Sequence, residues 1–327
     1  MNTGIIDTIF NSDWYGYSFI SNPYPITIDW DASAGKSTSN INDAIYLWNP
    51  NYGTYCSYID GTATNGQTQY ISPMQGFFVK ASDEISSLSF NNNAKIGQPT
   101  DFKSTTIEPF IRLAVTDNDK NYDEMVLRIK SGSTINFDGS YDAAKLIAST
   151  SKLPQLYSVL NGETYSINSF PEINEKTVIP IEVQAKKDGE HTIALSELSN
   201  YGYSYPIMIY NPETDELVNL ESEDYNFTAS ASETVNLFLC FSSNIACVED
   251  FTEYHSFLTT EGSKLIINYL GNIPAEVFVH NLSGQTIYNS NVTTDNLVIE
   301  IPLNGVYLVH VQFDDGKTFT DKAIIKF

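Results

Sequence analysis

The chain has 327 residues, 42% of them hydrophobic and 17% charged, enough for two or three domains of ~100–150 residues that each bury a core. Its 40 Asp and Glu against 17 Lys and Arg give a formal charge of -23, and such a surface repels nucleic acid and anionic membrane, because phosphate binding needs clustered Lys or Arg. No run approaches the ~20 apolar residues of a membrane span.

The polar remainder is mostly Ser, Thr, Asn, Gly and Tyr, which favour strands and turns over surface helices. Residues 1–97 hold all three tryptophans, Trp14, Trp30 and Trp48, and eight tyrosines. The aromatic set between Trp14 and Tyr58 has the residue types that stack on the C–H faces of pyranoses; the same rings also suit a core short of Leu and Ile. Trp30 and Trp48 sit in strand-like contexts and are expected in the core. Tyr52, Tyr55 and Tyr58 lie on a Gly-containing loop or hairpin and are the candidate ligand-binding residues, with core and exposed readings equally open.

Residues 98–247 alternate apolar and polar positions over 110–115, 124–129, 177–183, 191–195, 207–210 and 235–241, the pattern of short strands. A helical turn is expected over 141–146. Asp117, Asp119, Asn121 and Asp123 place side-chain oxygens at alternate positions between the first two strands. Such a loop can curl around Ca²⁺, which takes ~6–8 oxygen ligands, and calcium is the one cofactor the sequence suggests. An acidic turn without metal is the competing reading, and the Gly and Glu of an EF-hand loop are absent.

Residues 248–327 read as strands over 265–269, 276–280, 285–288, 297–301, 306–311 and 322–326. Between them lie Ser283-Gly284, Asn304-Gly305 and Asp314-Asp315-Gly316, residues that tolerate positive φ in tight turns. This predicts an immunoglobulin-like antiparallel sandwich, with His280 and His310 on its surface or edge. Cys240 and Cys247 are close enough to bridge, yet suit buried thiols better. The sequence holds no Gly-x-Ser-x-Gly elbow, phosphate loop, His-Glu-x-x-His or Cys-x-x-Cys pair. Its acidic residues single out no catalytic pair, so no enzyme is expected. Met1-Asn2-Thr3-Gly4 has neither a basic nor an apolar leader region, and a secretion leader is expected outside this chain.

Three stretches carry a family resemblance. Ser21-Asn22-Pro23-Tyr24-Pro25 with Ile28-Asp29-Trp30-Asp31 comes first, followed by Tyr70-Ile71-Ser72-Pro73-Met74-Gln75-Gly76-Phe77-Phe78-Val79. The last stretch joins Val279-His280-Asn281-Leu282-Ser283-Gly284-Gln285, Leu303-Asn304-Gly305-Val306-Tyr307 and Asp321-Lys322-Ala323-Ile324-Ile325-Lys326. Together they resemble Bacteroidetes surface proteins that end in a type IX secretion (Por) sorting domain. Before its first strand this chain has residues 250–257, where that family usually carries a Tyr-Pro-Asn-Pro-like run.

The resemblance implies export, an extracellular or outer-membrane surface location, and the outer-membrane secretion machinery as a partner. The combined expectation is an all-β, multi-domain protein of antiparallel β-sandwiches: an aromatic module (1–97), a middle sandwich (98–247) and an immunoglobulin-like sorting-like domain (248–327). Its expected role is non-enzymatic adhesion or binding of a surface glycan or host protein, without nucleic acid or a membrane span. The alternative is the non-catalytic end of a larger secreted hydrolase.

Overall fold

The computed structural model describes residues 16–50, 53–83, 85–96, 108–147, 152–160, 163–243, 257–268, 275–292, 296–313 and 318–326. Among them regular structure is strand, apart from a single 3₁₀ turn at Asn92–Ala94. The all-β expectation therefore holds. Contacts divide the chain into two compact units: one comprises Met1–Val159, Glu163–Asn174 and Ile179–Phe241, the other Leu160–Gly162, Glu175–Val178 and Ser242–Phe327.

In the first unit an antiparallel five-stranded sheet runs in the order Tyr17–Ser21, Gly76–Ala81, Ile41–Asn49, Thr54–Ile59, Thr62–Ala63. One face buries Ile20, Ile45, Leu47, Tyr58, Phe77 and Val79 with Ile28, Trp30 and Phe90. Trp30 meets its expectation: it is 1% exposed and its Nε1 donates to Asp43 O at 2.8 Å.

A second, larger sheet is built by the middle of the chain. Its central strands are Gln155–Leu160, Glu163–Phe170, Tyr122–Ile129, Phe110–Asp117 and Gly189–Ser199. Tyr122–Ile129 pairs parallel to Glu163–Phe170 on one side and antiparallel to Phe110–Asp117 on the other. The two larger sheets of this unit share a buried seam of Ala44, Tyr46, Ile59, Val126, Ala143 and Ile167.

The helical turn expected over 141–146 is not formed. Tyr141 N and Asp142 N both donate to Asp138 O, making one tight turn, and Ala143–Ala144 then extends to pair with Glu163–Phe170. The alanine backbone is claimed by that strand, so helix propensity loses to tertiary pairing.

The second unit stacks a three-stranded sheet, Phe257–Glu261, Lys264–Asn268 and Asn296–Glu300, on a four-stranded one, Thr286–Val292, Ala275–Asn281, Gly305–Phe313 and Thr318–Ile325. Leu265, Ile267 and Ile299 from the first meet Val277, Val279, Val309, Val311 and Ile325 from the second in one core. Each buried residue alternates with an outward one, as a half-buried strand requires. His280 and His310 lie on the outer face, flanking Phe278 at 6.1 Å each. Cys56 and Cys240 are buried, and Cys247 lies outside the described residues.

Candidate functional site: an aromatic strip and a polar cleft

Along the strand Ile41–Asn49, Ile45 and Leu47 enter the core, so Tyr46 and Trp48 face the other way. Tyr46 is buried at the seam, where its hydroxyl accepts from Ala144 N at 3.0 Å. Trp48 lies one pleat further on, past the seam, and is 43% exposed. This corrects its expected place in the core: the alternation that buries Leu47 sends Trp48 outward.

Pairing sets Tyr55 opposite Trp48 and Phe78 opposite Phe19. The four rings form a chain across the sheet, with centroids 5.2 Å apart for Trp48–Tyr55, 5.9 Å for Tyr55–Phe78 and 4.9 Å for Phe78–Phe19. Phe19 is 66% exposed, and its ring lies over Gly76 where a Cβ would overlap it. Glycine at 76 is thus the seat of an aromatic ring.

Of the three candidate tyrosines, Tyr55 belongs to this strip. Tyr58 is a core residue, 2% exposed. Its hydroxyl donates to the Asp31 carboxylate and accepts from Gly61 N at 3.0 Å. Burial, then the bond to Asp31, pushes its phenol pKa well above the usual range. The same pleat explains the difference, since Tyr58 pairs with inward Ile45 and Tyr55 with outward Trp48. Tyr52 lies outside the described residues. Phe19 and Phe78 were missed in the sequence; the signal available was their alternation with buried Ile20 and Phe77.

The four candidate calcium ligands do not converge. Asp117 turns inward on its own loop: Oδ1 accepts from Asp119 N and Asn121 N at 2.9 Å each, and Oδ2 accepts from Asn121 Nδ2 at 2.6 Å. Asp119 pairs with Lys187 at the surface. Asp123 is fully buried elsewhere, paired with Lys145 and accepting from Leu156 N at 2.8 Å and Asn65 Nδ2 at 3.0 Å. Among the described residues no three His, Cys, Asp or Glu side chains are grouped to hold a metal.

Asn65 opens a second feature. It sits in a left-handed conformation, φ 52°, and its amide N donates to Glu124 Oε1 at 2.6 Å while Nδ2 reaches Tyr55 O at 3.1 Å. Beside this turn lies a cleft of about 400 Å³ lined by Gly66, Gln67, Arg112, Tyr122, Glu124 and Glu197, among others. Arg112 donates to Glu124 at 2.6 Å, Glu197 at 3.0 Å and Ala63 O at 2.8 Å. Tyr122 donates to Glu124, and burial followed by that bond raises its phenol pKa, so it stays protonated. The cleft is therefore a fixed array of donors and acceptors rather than an apolar pocket.

No curated protein matches the chain. Among solved structures, PorZ, titled an essential bacterial surface component of the type-IX secretion system of human oral-microbiomic Porphyromonas gingivalis, is 8% identical with a TM-score of 0.21. That match covers 96% of this chain, which spans 58% of the PorZ chain's length. A biofilm associated protein BSP domain is 9% identical over 97% of this chain and 76% of its own, with a TM-score of 0.17. Likenesses this low carry no functional argument. The family described as "Domain of unknown function (DUF8693)" matches residues 2–240, a span that includes both the ring strip and the cleft. The chain belongs to the DUF8693 family.

Proposed function

We propose that this protein is a non-enzymatic, exported surface protein that holds a glycan on the ring strip Phe19, Phe78, Tyr55 and Trp48. The observation that carries this reading is the strip itself: four rings in a chain of consecutive contacts on one sheet face, with the terminal Trp48 and Phe19 well exposed. Rings in such an arrangement offer apolar faces to the C–H surfaces of successive sugars. A monomer otherwise has reason to bury them, since exposed apolar patches mark binding surfaces. The formal charge of -23 favours a neutral glycan over an acidic one. The non-catalytic part of the reading rests on the sequence, which carries none of the nucleophile or metal spacings noted above. Export rests on the resemblance of the C-terminal segments to a type IX sorting domain.

A glycan array probed with the purified chain, and then with Trp48→Ala, Tyr55→Ala and Phe19→Ala, tests the proposal. Neutral glycans should bind, and each alanine should weaken them by about tenfold, the upper end of what one aromatic contact supplies. Binding that survives all three changes, or no binding to any glycan, removes the reading.

A further inference from the structure

We propose that the cleft at Arg112 is a second binding site, specific for a small neutral saccharide, and separate in its residues from the ring strip. Its volume of about 400 Å³ falls within the ~300–1,000 Å³ of small-ligand sites. The chemistry of its walls selects the ligand.

Arg112 is held by Glu124, Glu197 and the Ala63 carbonyl through Nε and Nη1, which fixes the plane of the guanidinium. Among the described residues nothing accepts from Nη2. That nitrogen is not among the buried unpartnered atoms, so water satisfies it until a ligand oxygen takes its place. Beside it stand two carboxylates: Glu124 already accepts from Arg112, Asn65 N and Tyr122, so the open lone pairs are chiefly those of the exposed Glu197. A sugar hydroxyl accepts from one group and donates to another, so adjacent hydroxyls match a guanidinium set next to carboxylates. Ser196 Oγ donates to Arg112 O at 3.2 Å and so presents its own lone pairs. Gln67 Nε2 donates to Thr68 O at 2.7 Å, which leaves its second N–H and its Oε1 for a ligand.

Charge narrows the choice. One guanidinium against two carboxylates leaves the cleft negative, which disfavours phosphates and uronic acids. Arg112 itself repels an ammonium placed between the carboxylates. A neutral, hydroxyl-rich molecule of one or two pyranose rings fits both constraints.

Saturation-transfer NMR, followed by calorimetry, with glucose, galactose, mannose, N-acetylglucosamine, cellobiose and glucose 6-phosphate tests the site. Gln67→Ala and Glu197→Gln change a partly buried and an exposed residue, so melting temperatures matching the parent chain confirm folding. At least one neutral sugar should bind, and each variant should weaken it by about tenfold, the value of one hydrogen bond to a fixed polar group. Trp48→Ala should leave that affinity unchanged, which separates this site from the strip. No transfer to any sugar overturns the proposal. So does tighter binding of glucose 6-phosphate than glucose, or a loss of binding in Trp48→Ala with the cleft variants unaffected.

Discussion

Arg128 shows how one side chain ties the two larger sheets of the first unit together. It is fully buried, yet its Nε donates to Ser169 Oγ at 3.1 Å, Nη1 to Asp60 O at 3.1 Å and Nη2 to Tyr141 O at 2.6 Å. Asp60 belongs to the aromatic module, and Tyr141 and Ser169 to the middle segment, so the guanidinium joins chain regions far apart in sequence. A buried charge with this many partners is costly to strip of them, because it has no water to replace them. Asp142 completes the cluster, its carboxylate accepting from Asp138 N and Ser169 N at 2.7 Å each. Burial pushes the Asp142 carboxyl up to about 6, with the backbone bonds and Arg128 acting in the opposite direction. The folded chain therefore keeps this proton better than the unfolded one, for which the ordinary value is 3.8. Between these two values the folded form binds more protons, so the stability contributed here falls as pH rises through that window. Asp142→Asn removes the titration. Urea denaturation from pH 4 to pH 7 should show the variant gaining on the parent by ~1–3 kcal/mol across the range; a difference that does not change with pH contradicts the assignment.

At the scale of elements, two close approaches separate structure from binding. Gly35 lies against the 3₁₀ turn Asn92–Ala94, and a Cβ there would run into the Ala94 backbone. Backbone cannot swing aside, so Gly35→Ala should cost about 2–3 kcal/mol by overpacking, read as a lower urea midpoint at unchanged slope. At Gly76, in the strand Gly76–Ala81, the atoms nearest an added Cβ belong to the Phe19 ring, which can rotate toward solvent. Gly76→Ala should therefore lose less than ~1 kcal/mol of stability while displacing the ring and weakening glycan binding. Equal melting losses in the two variants would show that the Phe19 ring is locked rather than seated. The strip itself follows from strand pleat: adjacent residues in the strand Ile41–Asn49 divide between core and outer face, and register then brings Tyr55 and Phe78 alongside. A slip of one residue would reverse every one of those assignments.

For the whole molecule, the two largest sheets of the first unit rest on one shared seam. A fragment of residues 1–96 keeps its own core but bares Ala44, Tyr46 and Ile59, which the middle segment covers. It should melt well below a fragment of residues 1–243 and bind more of a hydrophobic dye. Equal melting temperatures would show that the seam adds no stability. The all-β class, and the strands of the second unit, were legible because a period of two with glycine or asparagine turns is a local signal. Trp48 and Tyr58 were harder, since a ring in a strand suits either face until the register is known. The acidic loop was a calcium candidate beside a plain acidic turn because its oxygens alternate in sequence; in the fold Asp123 pairs with Lys145 and Asp119 with Lys187. Arg112, Glu124 and Glu197 carried no sequence signal at all, being brought together only by the pairing of three strands. Sequence thus determined the fold class, the charge and the strand pattern, all of which depend on neighbours along the chain. The tertiary structure alone decided which rings face solvent and which polar groups meet, because those depend on register and on pairing between residues distant in sequence.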